Sequence, residues 1–540
     1  MDIHYILDTV FHISYLSGNT QNSHSDKIKI DKLKRRIYGM TSYFDIPMTQ
    51  LMPTLVLKPE TKMFLDTPNR FKDIHEELVE MSESQFVRYK RAREKEIETN
   101  KKNKKRKTDD EEDAEEEYSS YKTQSRSKCN FVFNHYAETT ETKHQKARAF
   151  REMMENRKDM ENVQSSEENE EDVTSDVENE DEATPDSQSG GVGDEEAQLD
   201  LEEDQQPEEE GDVKLNKQIN QLMKLYGGMV PYFGLDAMKE SAPKMAEIIA
   251  KIQNKTDYKG NHLVYSTFRT FEGVNFMAKG LQETDRYPFE IEHTKNKRSY
   301  VISEKTMEHL RKKKTTYLDF GNKENDEKKK TALRYLFNSD WEEPILQNAQ
   351  LQQQLTEICS LNQDEGKIVR NSLGCMIDTF LITDSGTRGI SLKCIRWEHI
   401  LEPFWHMIKL LQVKGRGSRI CSQMRLPENE RTLKVFIYIS TFTDEQKKQL
   451  GYDFDTVVVN GIDEKITTDQ YLYRASLKKD IINEDFIECL RSTAFDCTLF
   501  NKEKFRNKEN RPYTCFGYHQ DTPLEFTTKP DIKKDTVLIV

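Results

Sequence analysis

Residues 159–212 carry 24 Asp and Glu residues and not one Lys or Arg. A tract that repels itself and has almost no aromatic side chains cannot bury a core, so it is read as disordered. It splits the chain into two stretches that must fold around it. It also accounts for a hydrophobic content of 35%, low against the roughly 45% of a globular protein. Without it the net charge of −15 becomes positive. The acidic balance therefore does not exclude nucleic acid as a partner.

The pattern divides the 540 residues into a mixed, mostly helical region at 1–154, the acidic tract at 155–212, an α/β lobe at 214–445 and a helical extension at 446–540. Within the first region, MPTLVL (52–57) is an apolar run and 82–98 has helical texture. KKNKKRK (101–107) followed by DDEEDAEEE (109–117) reads as a charged loop over 101–120. No apolar run approaches the roughly 18–20 residues of a membrane span. The N-terminus has neither the basic region nor the apolar core of a signal peptide. The cysteines are scattered without a CxxC pair, so neither a disulfide framework nor a structural zinc site is expected. These features describe a soluble intracellular protein.

From 214 onward, strand-like runs alternate with amphipathic helices. Strands are expected at 262–268, 316–320, 377–383, 397–403 and 431–440. Helices are expected at 241–252, 326–337, 405–417 and 468–494. In the first helix Ser241 reads as the cap, Pro243 suits the first turn, and Met245, Ile248, Ile249 and Ile252 share a face. In the last, Tyr471, Leu472, Ala475, Ile482, Phe486 and Leu490 read as a core face. Such alternation predicts a doubly wound parallel sheet, whose ligands gather at the carboxyl ends of its strands.

One segment carries the chemistry. LITDSGTRG (381–389) ends a strand in small polar residues, with Gly386 and Gly389 allowing close approach of a phosphate to the backbone. QVKGRGSR (412–419) places Arg416 and Arg419 three apart, on one face if the helix continues, where two guanidinium groups can clamp a phosphate. Taken alone, the glycines describe an ordinary tight turn and the arginines a solvated helix end. Together, with a strand between them, they describe one site. Trp405 and His406 read as packing and capping residues. Cys421 lacks a partner base in sequence, and the runs 311–314 and 328–330 read as solvated basic faces.

The two motifs together resemble motifs V and VI of the second RecA-like lobe of superfamily 2 helicases. EPFWHMIKLLQVKGRGSRICS (402–422) is more similar still to the Swi/Snf-like helicases of large nucleocytoplasmic DNA viruses, which include the poxviral nucleoside triphosphatase and early transcription factor subunit. SAPKMAEIIAKI followed by HLVYSTFRTFEG (241–273) resembles the helix and strand of motif IV. FNSDW (337–341), the tail at 467–497, and 35–44, 79–96 and 125–133 upstream resemble other parts of that family.

The resemblance implies that Gln412, Gly415, Arg416 and Arg419 line an ATP cleft with Gly386 and Gly389, the two arginines being catalytic. It implies nucleic-acid contact at Tyr265, Ser266, Phe268, Thr383 and Ser385. Arg388 and Lys414 depart from the pattern, standing for an acidic and an apolar residue. GxxxxGK[ST] and a DExx box in a credible context are both missing, and the stretch before Arg35 is too short for a first lobe. The expectation is the C-terminal half of an NTP-dependent helicase or translocase, completed in trans by a polypeptide carrying the first lobe. ATP and Mg²⁺ would bind only to the completed enzyme, and this chain would hold no metal of its own. Partners would be DNA or RNA and viral transcription machinery, in the host cytoplasm or virion, or in the nucleus. The alternative is an inactive remnant that binds nucleic acid or a transcription partner.

Overall fold

The computed structural model describes residues 52–57, 73–107, 122–132, 234–269, 272–294, 299–320, 326–361, 370–384, 390–459 and 461–497, with Lys34, Ile37, Ser42, Phe71 and Cys515. The acidic tract and Ser385, Gly386, Arg388 and Gly389 lie outside the described residues.

In chain order come β1 (Thr54–Leu55), β2 (Ile74–Glu80), α1 (Glu83–Lys107) and α2 (Thr123–Asn130). After the acidic tract follow α3 (Leu235–Ser241), α4 (Pro243–Gln253), β3 (Asn261–Tyr265), α5 (Val274–Glu283), β4 (Arg286–Pro288), β5 (Ile291–His293), β6 (Tyr300–Ile302) and α6 (Glu304–Arg311). The chain continues through β7 (Thr315–Asp319), α7 (Glu327–Phe337), α8 (Ala349–Leu361), β8 (Ile377–Ile382), β9 (Ile395–Ile400) and α9 (Met407–Gly417). It closes with β10 (Thr432–Thr441), α10 (Asp444–Lys448), the hairpin β11 (Thr456–Val459) and β12 (Ile462–Lys465), and α11 (Thr468–Thr493).

Among the described residues, eight strands form one sheet in the order β1-β10-β9-β3-β8-β7-β4, with β2 also on β10, and every pairing is parallel. This is the doubly wound α/β lobe expected. Alternation sorts the strand side chains onto two cores. Leu263, Leu318, Phe380, Val435 and Ile437 pack on one face with Met407, Leu410 and Val413 of α9. Val264, Tyr317, Leu381, Phe436 and Tyr438 pack on the other with Met245, Ile248, Ile249 and Ile252 of α4. The β2–β10 edge comes from residues that precede the acidic tract, pairing Ile74–Glu80 with Val435–Thr441.

Four expectations are corrected. Ser241 ends α3, its Oγ donating to the Ala237 carbonyl at 3.1 Å, and Ala242 occupies the cap of α4 without a side-chain bond. The residue before a proline is pushed out of the α region, so the break falls at Ala242. The basic run at 101–107 continues α1 rather than forming a loop. Lys and Arg are good helix formers and suit the negative end of the helix dipole. On α11 the buried face includes Leu472, Tyr473 and Leu477, while Tyr471, Ala475, Phe486 and Leu490 are only half-buried. Tyr473 can be buried because its hydroxyl donates to Glu76 at 2.9 Å; the Ile482 side chain lies outside the described residues. Finally, Cys497 and Cys515 form a disulfide, a pairing across 18 residues that no local motif marks.

Candidate nucleic-acid and nucleotide interface

Three neighbouring strands, β9, β3 and β8, end side by side, and the residues that follow them share one hydrogen-bonded platform. Tyr265 closes β3 and its hydroxyl donates to Asp384, just beyond β8. Burial, then the Asp384 charge, push the Tyr265 phenol well above its ordinary range. Ser266 is buried and its backbone N–H donates to Ile382 at 3.3 Å. Thr383 is buried beside Asp384. Tyr265, Ser266, Phe268 and Thr383 are thus brought to one edge of the sheet.

Glu402, at the end of β9, organises this edge. Its carboxylate accepts from Ser266 Oγ at 3.0 Å, Thr267 Oγ1 at 2.7 Å and the Thr267 N–H at 2.5 Å. It also accepts from Asn130 Nδ2 of α2 at 3.1 Å. An acceptor-only group surrounded by four donors fixes the 266–268 loop rigidly.

Aromatic rings and cations stand beside it. The Arg126 guanidinium lies 5.1 Å from the Phe268 ring and 5.0 Å from the Phe404 ring. Lys409 covers Phe404 at 3.6 Å and pairs with Asp384 at 2.5 Å. Trp405 stands edge-on to Tyr471, with centroids 6.5 Å apart, and Lys122 covers the Tyr471 ring at 3.1 Å. Phe268, Phe404, Trp405, Lys409 and Tyr471 are all half-buried, so this aromatic and cationic shelf faces solvent. Stacking faces beside cations are what a nucleic-acid strand requires.

Helix α9 runs from the shelf to the arginines, about 10 Å from Lys409 to Arg416 at 1.5 Å per residue. Gln412 is exposed on it. A Cβ at Gly415 would meet nothing within 4 Å, so the space outside that residue is open. Arg416 Nη1 donates to the Ile390 carbonyl at 3.2 Å, which ties the helix to the segment after β8. The helix does not continue to Arg419: it ends at Gly417, and Arg419 returns by donating from Nε to the Gly415 carbonyl at 3.2 Å. Burial, then the charge of Arg419, hold the Arg416 guanidinium below its ordinary pKa. Among the described residues neither is in an ion pair.

FNSDW braces this end. Asn338 Nδ2 donates to Ser391 at 2.9 Å, and Asp340 pairs with Lys393 and Arg425, each at 2.8 Å. Sequence reading missed Glu402, Arg126, Phe404 and Lys409 as parts of one site. The signal for Glu402 was an acid ending an apolar strand; Arg126 had none, because it comes from beyond the acidic tract. Among the described residues no group of three His, Cys, Asp or Glu side chains could hold a metal ion, and no helix is long and apolar enough to cross a membrane.

No protein-family profile matches the chain. It is 30% identical over 165 residues, 31% of its length, to a protein of Acanthamoeba polyphaga mimivirus named as an ATP-dependent RNA helicase, of which the match covers 18%. It is 33% identical over 133 residues, 25% of its length, to a termination factor NPH-I homolog of African swine fever virus, again covering 18%. It is 26% identical over 155 residues, 28% of its length, to a helicase of Invertebrate iridescent virus 3, covering 14%. Among solved structures, the C-terminal part of the Fun30 ATPase domain aligns with 76% of the chain and 97% of its own length at 13% identity, with a TM-score of 0.31. The chain matches less than a fifth of each of these viral relatives. Over that part, it is related to the helicases of large DNA viruses.

Proposed function

We propose that this polypeptide supplies the second RecA-like lobe of an NTP-dependent helicase or translocase, working with a phosphate-binding lobe that this sequence does not contain. The observation that carries the reading is the pair Arg416 and Arg419. Both side chains leave the end of α9, Arg416 anchored on the Ile390 carbonyl and Arg419 on the Gly415 carbonyl, and among the described residues neither forms an ion pair. Such a pair calls for an anion, and planar guanidinium groups suit the oxygens of a transferring phosphate. The open space outside Gly415 gives that anion room. ATP and Mg²⁺ would be held mainly by the other lobe, where the metal neutralises phosphate charge. Arg416 and Arg419 would reach the γ-phosphate, and Gln412 would border the same cleft. Ser385, Gly386 and Gly389 belong to this proposal from sequence alone.

The shelf of Phe268, Phe404, Trp405, Lys409 and Tyr471 would carry the nucleic acid, held in place by Arg126 and by the buried Tyr265, Ser266 and Thr383 beneath it. The termination-factor name of the African swine fever virus relative supports a role beside viral transcription machinery; a place in host cytoplasm or virion belongs to the proposal from sequence alone.

The test is reconstitution with a polypeptide bearing the phosphate loop and DExx box. The isolated chain should show no NTPase activity. In the complex, Arg416→Lys and Arg419→Lys should leave assembly unchanged and lower kcat by about 10²-fold or more. Wild-type turnover in both variants would sink the assignment.

A further inference from the structure

Glu398 lies in the middle of β9, level with Leu263 on β3 and Val435 on β10. Those two side chains are fully buried, so the row across the sheet reads Leu, Glu, Val. Glu398 is itself wholly buried, and among the described residues neither carboxyl oxygen has a hydrogen-bond partner. Burial pushes its pKa up to about 8. An ionised carboxylate is disfavoured there, so the neutral acid prevails at neutral pH.

The last turn of α9 lies over this carboxyl. A Cβ on Gly417 would stand 3.0 Å from Glu398 Oε2, so glycine at that position gives the acid its room. The charged groups that act on Glu398 are Lys414 and Arg416, both from α9. Lys414 is already paired with Asp73. Among the described residues Arg416 holds only the Ile390 carbonyl, through Nη1, and its buried Nε has no partner. Arg419 is the next charge beyond it. An acceptor without a donor and a donor without an acceptor thus lie within electrostatic reach of each other, unbonded.

We propose that Glu398 is a positioning residue for Arg416: as a neutral acid it leaves the guanidinium on the Ile390 carbonyl, and as a carboxylate it draws Nε–H inward. The consequence for turnover rests on the reading of Arg416 as a phosphate-facing arginine; the pairing itself does not. The proton leaves Glu398 for solvent, and Arg416 stays charged throughout. A phosphate that engages Arg416 favours the neutral acid, so anion binding and proton uptake at Glu398 are linked.

The experiment labels the full chain, without nucleotide, using phenylglyoxal, which attacks guanidinium groups that are not held. Modification of Arg416 is read by peptide mass spectrometry at about pH 7 and about pH 9, a unit either side of the Glu398 midpoint. Arg419 serves as the internal reference for the reagent's own pH dependence. The expected result is several-fold protection of Arg416 relative to Arg419 at the higher pH only. The protection should vanish in Glu398→Gln and in Glu398→Leu, the latter matching the apolar row. An Arg416 to Arg419 ratio that is the same at both pH values, or protection that survives both substitutions, overturns the proposal. Because no ATP is involved, that failure is separate from failure of the helicase reading, which would appear as absent turnover in the reconstituted complex. If both hold, turnover of the complex should fall several-fold from about pH 7 to about pH 9 in wild type and stay level in Glu398→Gln.

Discussion

Lys244 and Asp469 meet at 2.7 Å with both side chains wholly shielded from solvent. Lys244 comes from α4 and Asp469 from the first turn of α11, and Asp469 Oδ2 also accepts the Ser440 N–H at the end of β10 at 3.1 Å. One carboxylate therefore fastens the tail helix to both the sheet and the layer behind it. Removing a single partner of a buried pair strands the other charge, at a cost of about 3–5 kcal/mol, whereas replacing both with apolar groups costs far less. Lys244→Met should lower the unfolding free energy, read from urea titration, by about that margin, and Lys244→Met with Asp469→Leu should recover much of it. A single variant as mild as the double one would mean that water reaches the pair.

Much of this lobe is legible in the sequence. Strands β3, β7, β8, β9 and β10 and helices α4, α7, α9 and α11 follow from apolar patterning, and the site motifs sit where those strands end, whereas β4, β5, β6, α5, α6 and α8 are not among the expected elements. The β2–β10 pairing and the entry of Arg126 into the shelf are not legible. Both join segments on opposite sides of the acidic tract, and local periodicity carries no information about such distant partners. Counting residues puts Arg419 on the helix face with Arg416. The sequence does not announce that α9 ends at Gly417, where Ser418 leaves the helical region. The burial of Tyr473 is not legible either, because it depends on a distant acceptor, Glu76.

Acid should loosen the sheet through a buried histidine relay. His262 Nε2 faces the Tyr258 carbonyl at 3.1 Å, which can only accept, so that nitrogen carries the proton. Its Nδ1 then accepts from His399 Nε2 at 3.1 Å, and His399 Nδ1 accepts from the Tyr438 hydroxyl at 2.9 Å. Both rings must be neutral in this arrangement. Burial drives the His262 pKa down to about 4 and His399 well below its ordinary value. The unfolded rings bind protons near pH 6.5, so the contribution is complete above that pH and is lost as pH falls toward about 4. For His262 the loss is about 3 kcal/mol. Urea midpoints measured across that window should fall more steeply in wild type than in His262→Gln; identical slopes would remove the relay from the account.

Gly415 separates stability from function. It sits inside α9, and a Cβ there would touch nothing. Glycine within a helix costs roughly 0.5–1 kcal/mol relative to alanine. Gly415→Ala should therefore stabilise the isolated chain by about that amount, read as a rise in melting temperature. If a nucleotide or first lobe closes over this surface, the same substitution should lower turnover of the reconstituted complex. Gain in stability with unchanged turnover would leave Gly415 outside the cleft.

Glu402 and Lys409 should affect nucleic-acid binding in different ways. Glu402→Gln exchanges one acceptor oxygen for an NH₂ group that must face either the Thr267 N–H or Asn130 Nδ2, neither of which can accept. A buried donor facing a donor costs about 1–3 kcal/mol, which releases the 266–268 loop from its fixed position. Glu402 itself is buried and touches no strand, so the salt dependence of binding should stay close to wild type while affinity falls about tenfold. Lys409 is half-exposed on the shelf beside Phe404. If it meets a phosphate, Lys409→Gln should reduce the slope of log affinity against log salt by about 0.7–0.9, one released counterion's worth. Fluorescence anisotropy of a labelled single strand, titrated at several salt concentrations, reads both quantities. A wild-type affinity in Glu402→Gln together with an unchanged slope in Lys409→Gln would detach this shelf from nucleic acid and move the binding surface elsewhere on the lobe.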